Sequence, residues 1–127
     1  MSVLRWQDLP AAPAAGTVIC HRDAVADGHP ELFEFPAVAD GGKPFRLVLL
    51  RSGDALHAFV NRCAHFGVPL AERREHLIFK PHLSLSCNVH YARYRWHDGY
   101  CEAGDCAGES LIPVAVVCGK DGLVRIA

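Results

Sequence analysis

Two short segments of this 127-residue chain each carry one cysteine and one histidine. Cys63 and His65 are separated by one residue, and Cys87 and His90 are separated by two. Thiolate sulfur and imidazole nitrogen are ligands that proteins offer to zinc, iron and iron–sulfur clusters. The two pairs therefore predict a metal centre with four protein ligands.

The spacing of the first pair bears on the kind of metal centre. Structural zinc sites usually place two or more residues between paired ligands, so that both side chains can bend onto one ion. The single intervening residue, Ala64, is easier to accommodate when the cysteine and the histidine bind different atoms of a binuclear iron centre. The spacing favours a two-iron cluster, and a structural zinc site formed by the same four side chains stays open as an alternative.

Composition and charge are those of a globular domain. Half of the residues are hydrophobic, and the formal net charge is −1. A chain of this length buries about two thirds of its unfolded surface, which is enough for one core. The nearly neutral charge argues against a broad nucleic-acid surface. We therefore expect a single domain over residues 1–127 that binds no nucleic acid.

The sequence predicts neither export nor membrane insertion. The first twenty residues lack the long apolar core of a secretion signal, and the longest apolar run, residues 111–118, has the length of a strand. Cysteines close to histidines in such a chain indicate metal binding more than disulfides. We expect a cytoplasmic protein with reduced thiols and no membrane partner.

Short apolar or alternating runs, bounded by glycine, proline and aspartate, predict an antiparallel all-β fold. These runs cover residues 31–35, 45–51, 55–61, 93–96, 111–118 and 123–127. Tight turns are predicted at 52–54, at 119–122, and at Asp98 and Gly99, which can both take positive φ. A helical pattern appears only over 69–77, where it is sufficient for one or two turns.

The two ligand pairs and their surroundings resemble the Rieske [2Fe–2S] proteins. That family has cysteine, one residue and histidine in one loop, and cysteine, two residues and histidine in a second. The resemblance covers about residues 45–127, where 87–104 is similar to the second loop with its following hairpin and 104–114 to a third loop and returning strand. It implies a Rieske-like antiparallel β-sandwich or barrel with a small cluster-binding subdomain of loops at about 62–108.

The resemblance also implies a role for each ligand. Cys63 and Cys87 would bind one iron of a single [2Fe–2S] cluster through thiolates, and His65 and His90 would bind the other iron through imidazole. Neutral histidines in place of anionic cysteines raise the reduction potential. The histidine tip, partly exposed, would be the surface through which electrons pass to a docked partner.

Comparison with the high-potential branch of the family distinguishes the ferredoxins. That branch has an extra cysteine in each loop, at the places of Val68 and Val89. It also has a serine where this chain has Ala92, whereas its tyrosine is matched by Tyr94. Hydrogen bonds to the cluster sulfurs stabilise the reduced state, so we expect a potential low in the Rieske range.

The resemblance to soluble Rieske ferredoxins predicts a one-electron carrier. Its partners would be a reductase and a ring-hydroxylating or related oxygenase, and the chain would be an electron-transfer component more than an enzyme by itself. One alternative is the small subunit of a nitrite-reductase-like complex. The other is the zinc-binding module without redox activity.

The other cysteines and histidines do not follow ligand spacing. We expect Cys101 and Cys106 to be small buried side chains beside the cluster, with a disulfide as the alternative, and Cys20 and Cys118 to be core residues. Residues 66–86 form a longer separation than is usual in the family, which indicates an insertion. The following are predicted to be surface or strand histidines: His21, His29, His57, His76, His82 and His97.

Overall fold

The computed structural model describes residues 5–9, 11–37, 42–62, 70–86, 92–104 and 109–127, with only the backbone of Arg74. Within these ranges the chain forms short strands and three single 3₁₀ turns, Trp6–Asp8, Arg22–Ala24 and Arg74–His76. The strands are β1 (Val18–His21), β2 (Pro30–Phe35), β3 (Phe45–Ser52), β4 (Ala55–Val60), β5 (Ile78–Lys80), β6 (Ser84–Ser86), β7 (Arg93–Arg95), β8 (Cys101–Ala103), β9 (Val116–Cys118) and β10 (Leu123–Ile126).

The strands form three antiparallel sheets, which confirms the predicted all-β class. The terminal sheet has the order β1-β10-β9, and the central sheet has the order β2-β3-β4. The loop sheet has the order β5-β6-β7-β8. Consecutive strands pair directly in the central and loop sheets, as hairpin connections require.

The central sheet lies between two hydrophobic cores. Successive side chains of β3 point to opposite faces, so Leu47 and Leu49 enter one core while Val48 and Leu50 enter the other. All four side chains have no exposed surface. A strand that is buried on both faces reads as a continuous apolar run, and this explains the sequence of β3.

Each core joins the central sheet to one neighbour. The terminal core, shared with the terminal sheet, includes Val124 and Ile126 of β10. The loop core, shared with the loop sheet, includes Leu85 of β6 and Tyr94 of β7. The two cores therefore divide the described residues into a terminal half and a loop half around β3.

Most of the predicted strands are confirmed. The structure has strands at 30–35, 45–52, 55–60, 93–95 and 123–126, each within a residue or two of its prediction. The predicted hairpin at 52–54 is also present, with Ser52 paired to Ala55 across the turn. Alternation and turn residues were sufficient here because each strand is long, or is bounded by a tight turn.

Two local predictions were wrong in extent, whereas a third, of one or two helical turns within 69–77, is confirmed. The run at 111–118 forms a strand only from Val116, because Pro113 has no backbone N–H and makes a single bridge to Phe59. Of the predicted turn pair only Gly99 has positive φ, at 72°, and the Asp98 carboxylate accepts a hydrogen bond from the backbone N–H of Tyr100 at 3.0 Å. The helical pattern at 69–77 yields one 3₁₀ turn.

The segment between the two ligand pairs contains an unpredicted hairpin. Strands β5 and β6 pair with each other through Ile78–Ser86 and Lys80–Ser84, and β6 pairs onward with β7. Three-residue strands carry too few alternations to be recognised from sequence. The long separation at 66–86 thus supplies two strands of the loop sheet.

No helix in the described residues is long and apolar enough to span a membrane.

Candidate metal centre

The four predicted ligands lie outside the described residues. Cys63 and His65 belong to a first ligand segment, residues 63–69, and Cys87 and His90 belong to a second, residues 87–91. A third segment, residues 105–108, contains Cys106. The structure describes the residues that precede and follow each segment, and these determine where the segments begin and end.

A buried asparagine joins the two ends of the first ligand segment. Asn61 is 6% exposed, and its Nδ2 donates to the carbonyl of Ala71 at 2.8 Å. Its Oδ1 accepts from the backbone N–H of Leu70 at 2.8 Å and from that of Ala71 at 3.4 Å. A buried amide with partners on both of its polar atoms holds one geometry, because any other leaves polar groups unpaired. Asn61 therefore fixes the entry and exit of the segment that carries Cys63 and His65.

The Asn61 side chain was missed by the sequence analysis, which treated it as the last residue of a strand. Its backbone N–H does extend the strand region, donating to the carbonyl of Arg46 at 2.9 Å. The signal in the sequence is a polar residue directly after the buried strand β4 and two positions before Cys63. Asparagine is disfavoured in strands, so its presence there indicates a specific hydrogen-bonding role.

The second ligand segment is enclosed by a strand pair. Ser86, directly before it, pairs with Arg93 in the β6–β7 ladder, and Leu85 pairs with Tyr94 in the next row. The indole N–H of Trp96 donates to the carbonyl of Ser84 at 2.8 Å and reinforces this ladder from inside the loop core. The ladder brings the two ends of the segment to within the spacing of neighbouring strands.

The third segment starts in contact with the end of the second. Gly104 has φ of 101°, and a Cβ at this position would lie 2.8 Å from Cα of Ala92. Only glycine allows both this conformation and this approach of two backbones. On the far side of the segment, the backbone N–H of Cys101 donates to the carbonyl of Glu109 at 2.8 Å. The residue before the third segment is thus held against the residue after the second.

Described residues that flank all three segments belong to the loop core. The buried members of this core include residues from the exit of the first segment, from both sides of the second and from the strand before the third. These residues are Leu70, Ala71, Leu85, Ala92, Tyr94 and Cys101. The core excludes water on the protein side of the candidate centre, and a low local dielectric strengthens the hydrogen bonds that reach it.

The cysteines outside the ligand pairs behave as predicted where they are described. Cys101 is fully buried, and its Sγ donates to the carbonyl of Ala103 at 3.2 Å. Cys20 and Cys118 are half-buried against the terminal core, and burial, followed by the nearby charge of Glu31, raises the pKa of the Cys20 thiol. The predicted alternative of a Cys101–Cys106 disulfide includes a residue outside the described part.

The remaining histidines do not form a competing site among the described residues. No group of three or more histidine, cysteine, aspartate or glutamate side chains there could hold a metal ion. His21 accepts a hydrogen bond from the backbone N–H of Asp23, and burial, followed by the charge of His97, lowers the pKa of His57. These side chains have the surface and strand locations that the sequence predicted.

Comparison with known families decides what kind of domain this is. The family described as "Rieske [2Fe-2S] domain" matches residues 16–118, which include all four predicted ligands. The chain belongs to the Rieske [2Fe–2S] family. The cofactor of a Rieske domain is one [2Fe–2S] cluster, and the predicted cofactor is therefore confirmed. No curated protein sequence matches the chain.

Solved structures support the Rieske fold. The ferredoxin of carbazole 1,9a-dioxygenase from Nocardioides aromaticivorans IC177 is 20% identical, with a TM-score of 0.67 over 90% of this chain and 98% of that one. The terminal oxygenase of carbazole 1,9a-dioxygenase from Novosphingobium sp. KA1 is 21% identical, with a TM-score of 0.68 over 88% of this chain and 30% of that one. At such identities the likeness establishes the shared fold.

A third solved structure is a complex of reduced oxygenase and oxidised ferredoxin in carbazole 1,9a-dioxygenase. It matches this Rieske domain with 20% identity and a TM-score of 0.68, over 91% of this chain and 94% of the matching chain.

The residues present also fit the cluster chemically. Each ligand segment offers one thiolate and one imidazole, and the described residues that flank the segments share one water-excluding core.

Proposed function

We propose that Cys63 and Cys87 bind one iron of the cluster and that His65 and His90 bind the other. The family match spans both pairs, and each pair has the spacing that the Rieske pattern requires. The described flanking residues support the assignment because Asn61 joins the two ends of the first segment, and Gly104 before the third segment lies against Ala92 after the second. When bound, such a cluster accepts and releases one electron.

We propose that the protein carries single electrons between a reductase and the terminal oxygenase of a ring-hydroxylating or related system. The observation that carries this proposal is the extent of the fold likeness. The chain matches 98% of the length of a ferredoxin from such a system, but only 30% of the length of a terminal oxygenase. The matching part of this chain therefore spans nearly the whole of that ferredoxin and one part of that oxygenase.

In this function the residues of the chain hold the centre in one geometry and tune its potential. Asn61, the β6–β7 ladder and the Gly104–Ala92 contact leave little room for the ligand segments to rearrange at their bases. Fixed ligands favour fast electron transfer because little protein has to move. Tyr94 is the candidate donor of a hydrogen bond toward the cluster, since it lies fully buried in β7 directly after the second segment.

We further propose one domain over 1–127, with a cluster-binding subdomain at about 62–108, and a cytoplasmic location. The packing of β3 against both neighbouring sheets, through one core on each of its faces, supports a single domain. The thiols of Cys20 and Cys118, which form no disulfide, are typical of a reducing compartment. Targeting of a fluorescent fusion to any other compartment would contradict this location.

The ligand assignment can be tested on protein purified without oxygen. We expect iron and acid-labile sulfide in equal amounts and a visible spectrum that bleaches on reduction. Cys63→Ser should lose the cluster, whereas Cys118→Ser, a thiol in the terminal half, should keep it. A cluster that survives Cys63→Ser, or a colourless protein that binds zinc, would contradict the proposal.

The carrier function needs a separate measurement. Reduced protein should pass electrons to the oxygenase component of a ring-hydroxylating system, and a reductase of the same system should reduce it in turn. Stopped-flow absorbance follows both steps directly on the protein. A protein with an intact cluster that neither accepts electrons from such reductases nor delivers them to such oxygenases would refute the proposed role while leaving the cofactor assignment standing.

A further inference from the structure

The outer face of the loop sheet carries a cluster of cations. Lys80 and Arg95 both pair with Ser84, which stands between them, and therefore lie in one row across the sheet. Arg93 lies two residues before Arg95 on β7, so its side chain points to the same face of the sheet. Strand spacing places the backbones of Lys80 and Arg95 about 10 Å apart, and those of Arg93 and Arg95 about 7 Å apart. Three long cationic side chains thus extend from one small area of the sheet.

These side chains enclose a groove of about 390 Å³. Its floor includes Ser84, which is 4% exposed and whose short side chain leaves a depression between the two longer neighbours in its row. Glu102 is the one carboxylate among the described residues that line the groove. The groove is therefore a polar depression with more cations than anions, on a chain whose overall charge is −1.

The three cations differ in how they are neutralised. Arg93 Nε lies 2.9 Å from Glu102 Oε1, with 46% and 36% of the two side chains exposed. Arg95 is paired with Asp98 and lies over the ring of Tyr100, 4.8 Å from its centroid. The side-chain ammonium of Lys80 has no hydrogen bond or ion pair with any described residue, although its backbone carbonyl accepts from the N–H of Leu83.

Apolar side chains extend the same surface. Leu83, which lines the groove at the β5–β6 turn, is 67% exposed, and Ile78, paired with Ser86 on this face, is 44% exposed. Exposed apolar side chains beside cations are typical of a surface that another protein covers, whereas a site for a small anion gains nothing from them.

The groove adjoins described residues that flank the second and third segments. Ser86 and Arg93 stand immediately before and shortly after the second ligand segment, and Glu102 lies two residues before Gly104. A protein seated in the groove would therefore contact the bases of the segments that carry the proposed ligands. Docking here would place a partner against the described residues on both sides of the second ligand segment.

We propose that this groove docks an acidic segment of a redox partner protein. Carboxylates of the partner pair with Lys80 and, by displacing Glu102, with Arg93, while apolar side chains of the partner cover Leu83. The inference deepens the proposed function, on which the redox role of the partner rests. Binding itself depends only on charge and shape, so it can be tested apart from electron transfer.

The test uses the oxidised protein with its cluster and a fluorescein-labelled hexaglutamate peptide, with binding followed by fluorescence anisotropy at low ionic strength. Lys80→Gln should weaken binding about threefold, since an exposed ion pair contributes up to about 1 kcal/mol. Glu102→Gln should strengthen binding about twofold, because it releases Arg93. Lys120→Gln removes the same charge from the β9–β10 turn of the terminal sheet and should change the affinity by less than about 1.5-fold.

The opposite signs of the two groove variants make the test specific. Equal losses for Lys80→Gln and Lys120→Gln would show that the peptide responds only to net charge, and would overturn the proposal. Unchanged or weaker binding by Glu102→Gln would overturn it as well. Displacement of the peptide by inorganic phosphate at constant ionic strength would identify a small-anion site and also contradict a protein-docking groove. None of these results depends on whether the protein transfers electrons to an oxygenase.

Discussion

The terminal half and the loop half of the molecule are held together in different ways. In the terminal half, β2, β3 and β4 are long strands that pair residue by residue around a core of aliphatic and aromatic side chains. In the loop half, every strand has three residues, and individual side chains complete the structure. Asn61, Trp96 and Gly104 each make a contact there that another residue type could not make.

This difference distinguishes residues that fix the geometry of the metal centre from residues that only stabilise the fold. A core formed by many similar contacts loses stability gradually when one side chain is shortened, but it keeps its shape. A region that depends on single hydrogen bonds and one close backbone approach loses its geometry when any of them is removed. Substitutions in the loop half should therefore alter the metal centre, and substitutions in the terminal half should alter stability alone.

The largest effect is expected at Asn61. Asn61→Ala leaves the Leu70 N–H and the Ala71 carbonyl buried without their partner, at a cost of about 2–4 kcal/mol in the free energy of unfolding. It should also release the ends of the first ligand segment, so that cluster content per folded molecule falls. Chemical denaturation and iron analysis measure the two quantities.

The matched control for Asn61 is Leu47→Ala in the terminal core, expected to cost about 2–5 kcal/mol through the cavity it creates. Its folded fraction should keep a full complement of iron and an unchanged visible spectrum. Equal loss of cluster in both variants would show that the centre responds to overall stability, and the contrast between the halves would be lost.

A smaller effect is expected at Gly104. Gly104→Ala forces a Cβ against the backbone of Ala92 at a φ of 101°, and we expect a cost of about 2–3 kcal/mol together with a changed electron paramagnetic resonance spectrum. Gly53→Ala is the control, because its φ is 60° and its Cβ would meet nothing within 4 Å. That variant should cost about 1 kcal/mol and leave the spectrum unaltered. If the two alanines cost the same, the contact with Ala92 is not a constraint.

Subtler still are changes in reduction potential. Tyr94→Phe removes a buried hydroxyl next to the second ligand segment and should lower the potential by ~40–90 mV, the equivalent of a hydrogen bond strengthened by ~1–2 kcal/mol on reduction. Ala92→Ser adds a donor and should raise the potential. Protein-film voltammetry measures both variants, and Phe59→Leu, in the same core but on the central sheet, should leave the potential unchanged. Shifts in the reverse order would contradict the hydrogen-bond account.

The smallest effect belongs to the terminal half. The hydrogen bond from Arg125 lowers the pKa of Asp121 from 3.8 to about 2. A depressed carboxyl pKa stabilises the folded state above the unfolded value, and this contribution is lost as the pH falls from about 4 to below 2. Asp121→Asn should therefore lower the melting temperature slightly at pH 7, with a difference that disappears in acid. A difference that persisted at pH 2 would exclude this ion pair as its cause.

The contrast between the halves also explains what the sequence could reveal. Strands β3 and β4 were predictable because long apolar runs and a two-residue turn specify their pairing. The hairpin of β5 and β6 was not predictable from the sequence, because its three-residue strands are stabilised by pairing with β7 and by tertiary contacts. The strand predicted from Leu111 was too long, because a prediction from hydrophobicity alone does not take into account that Pro113 has no backbone N–H to donate to a neighbouring strand.

The candidate site shows the same division. The types and spacing of Cys63, His65, Cys87 and His90 predicted a metal centre with four protein ligands, and their resemblance to the Rieske pattern predicted the [2Fe–2S] cluster. The residues that hold the ends of the ligand segments could not be predicted, because the role of Asn61 depends on hydrogen bonds to two backbone groups nine and ten residues away. Such long-range hydrogen bonds have no periodic pattern.

The most direct test of the central claim is to count the nitrogen ligands of the reduced cluster by pulsed electron paramagnetic resonance. We predict couplings from two imidazole nitrogens on one iron, and their loss together with the Rieske signal in His65→Ser and in His90→Ser. A reduced [2Fe–2S] signal without strongly coupled nitrogen, or one that both histidine variants leave intact, would contradict the account.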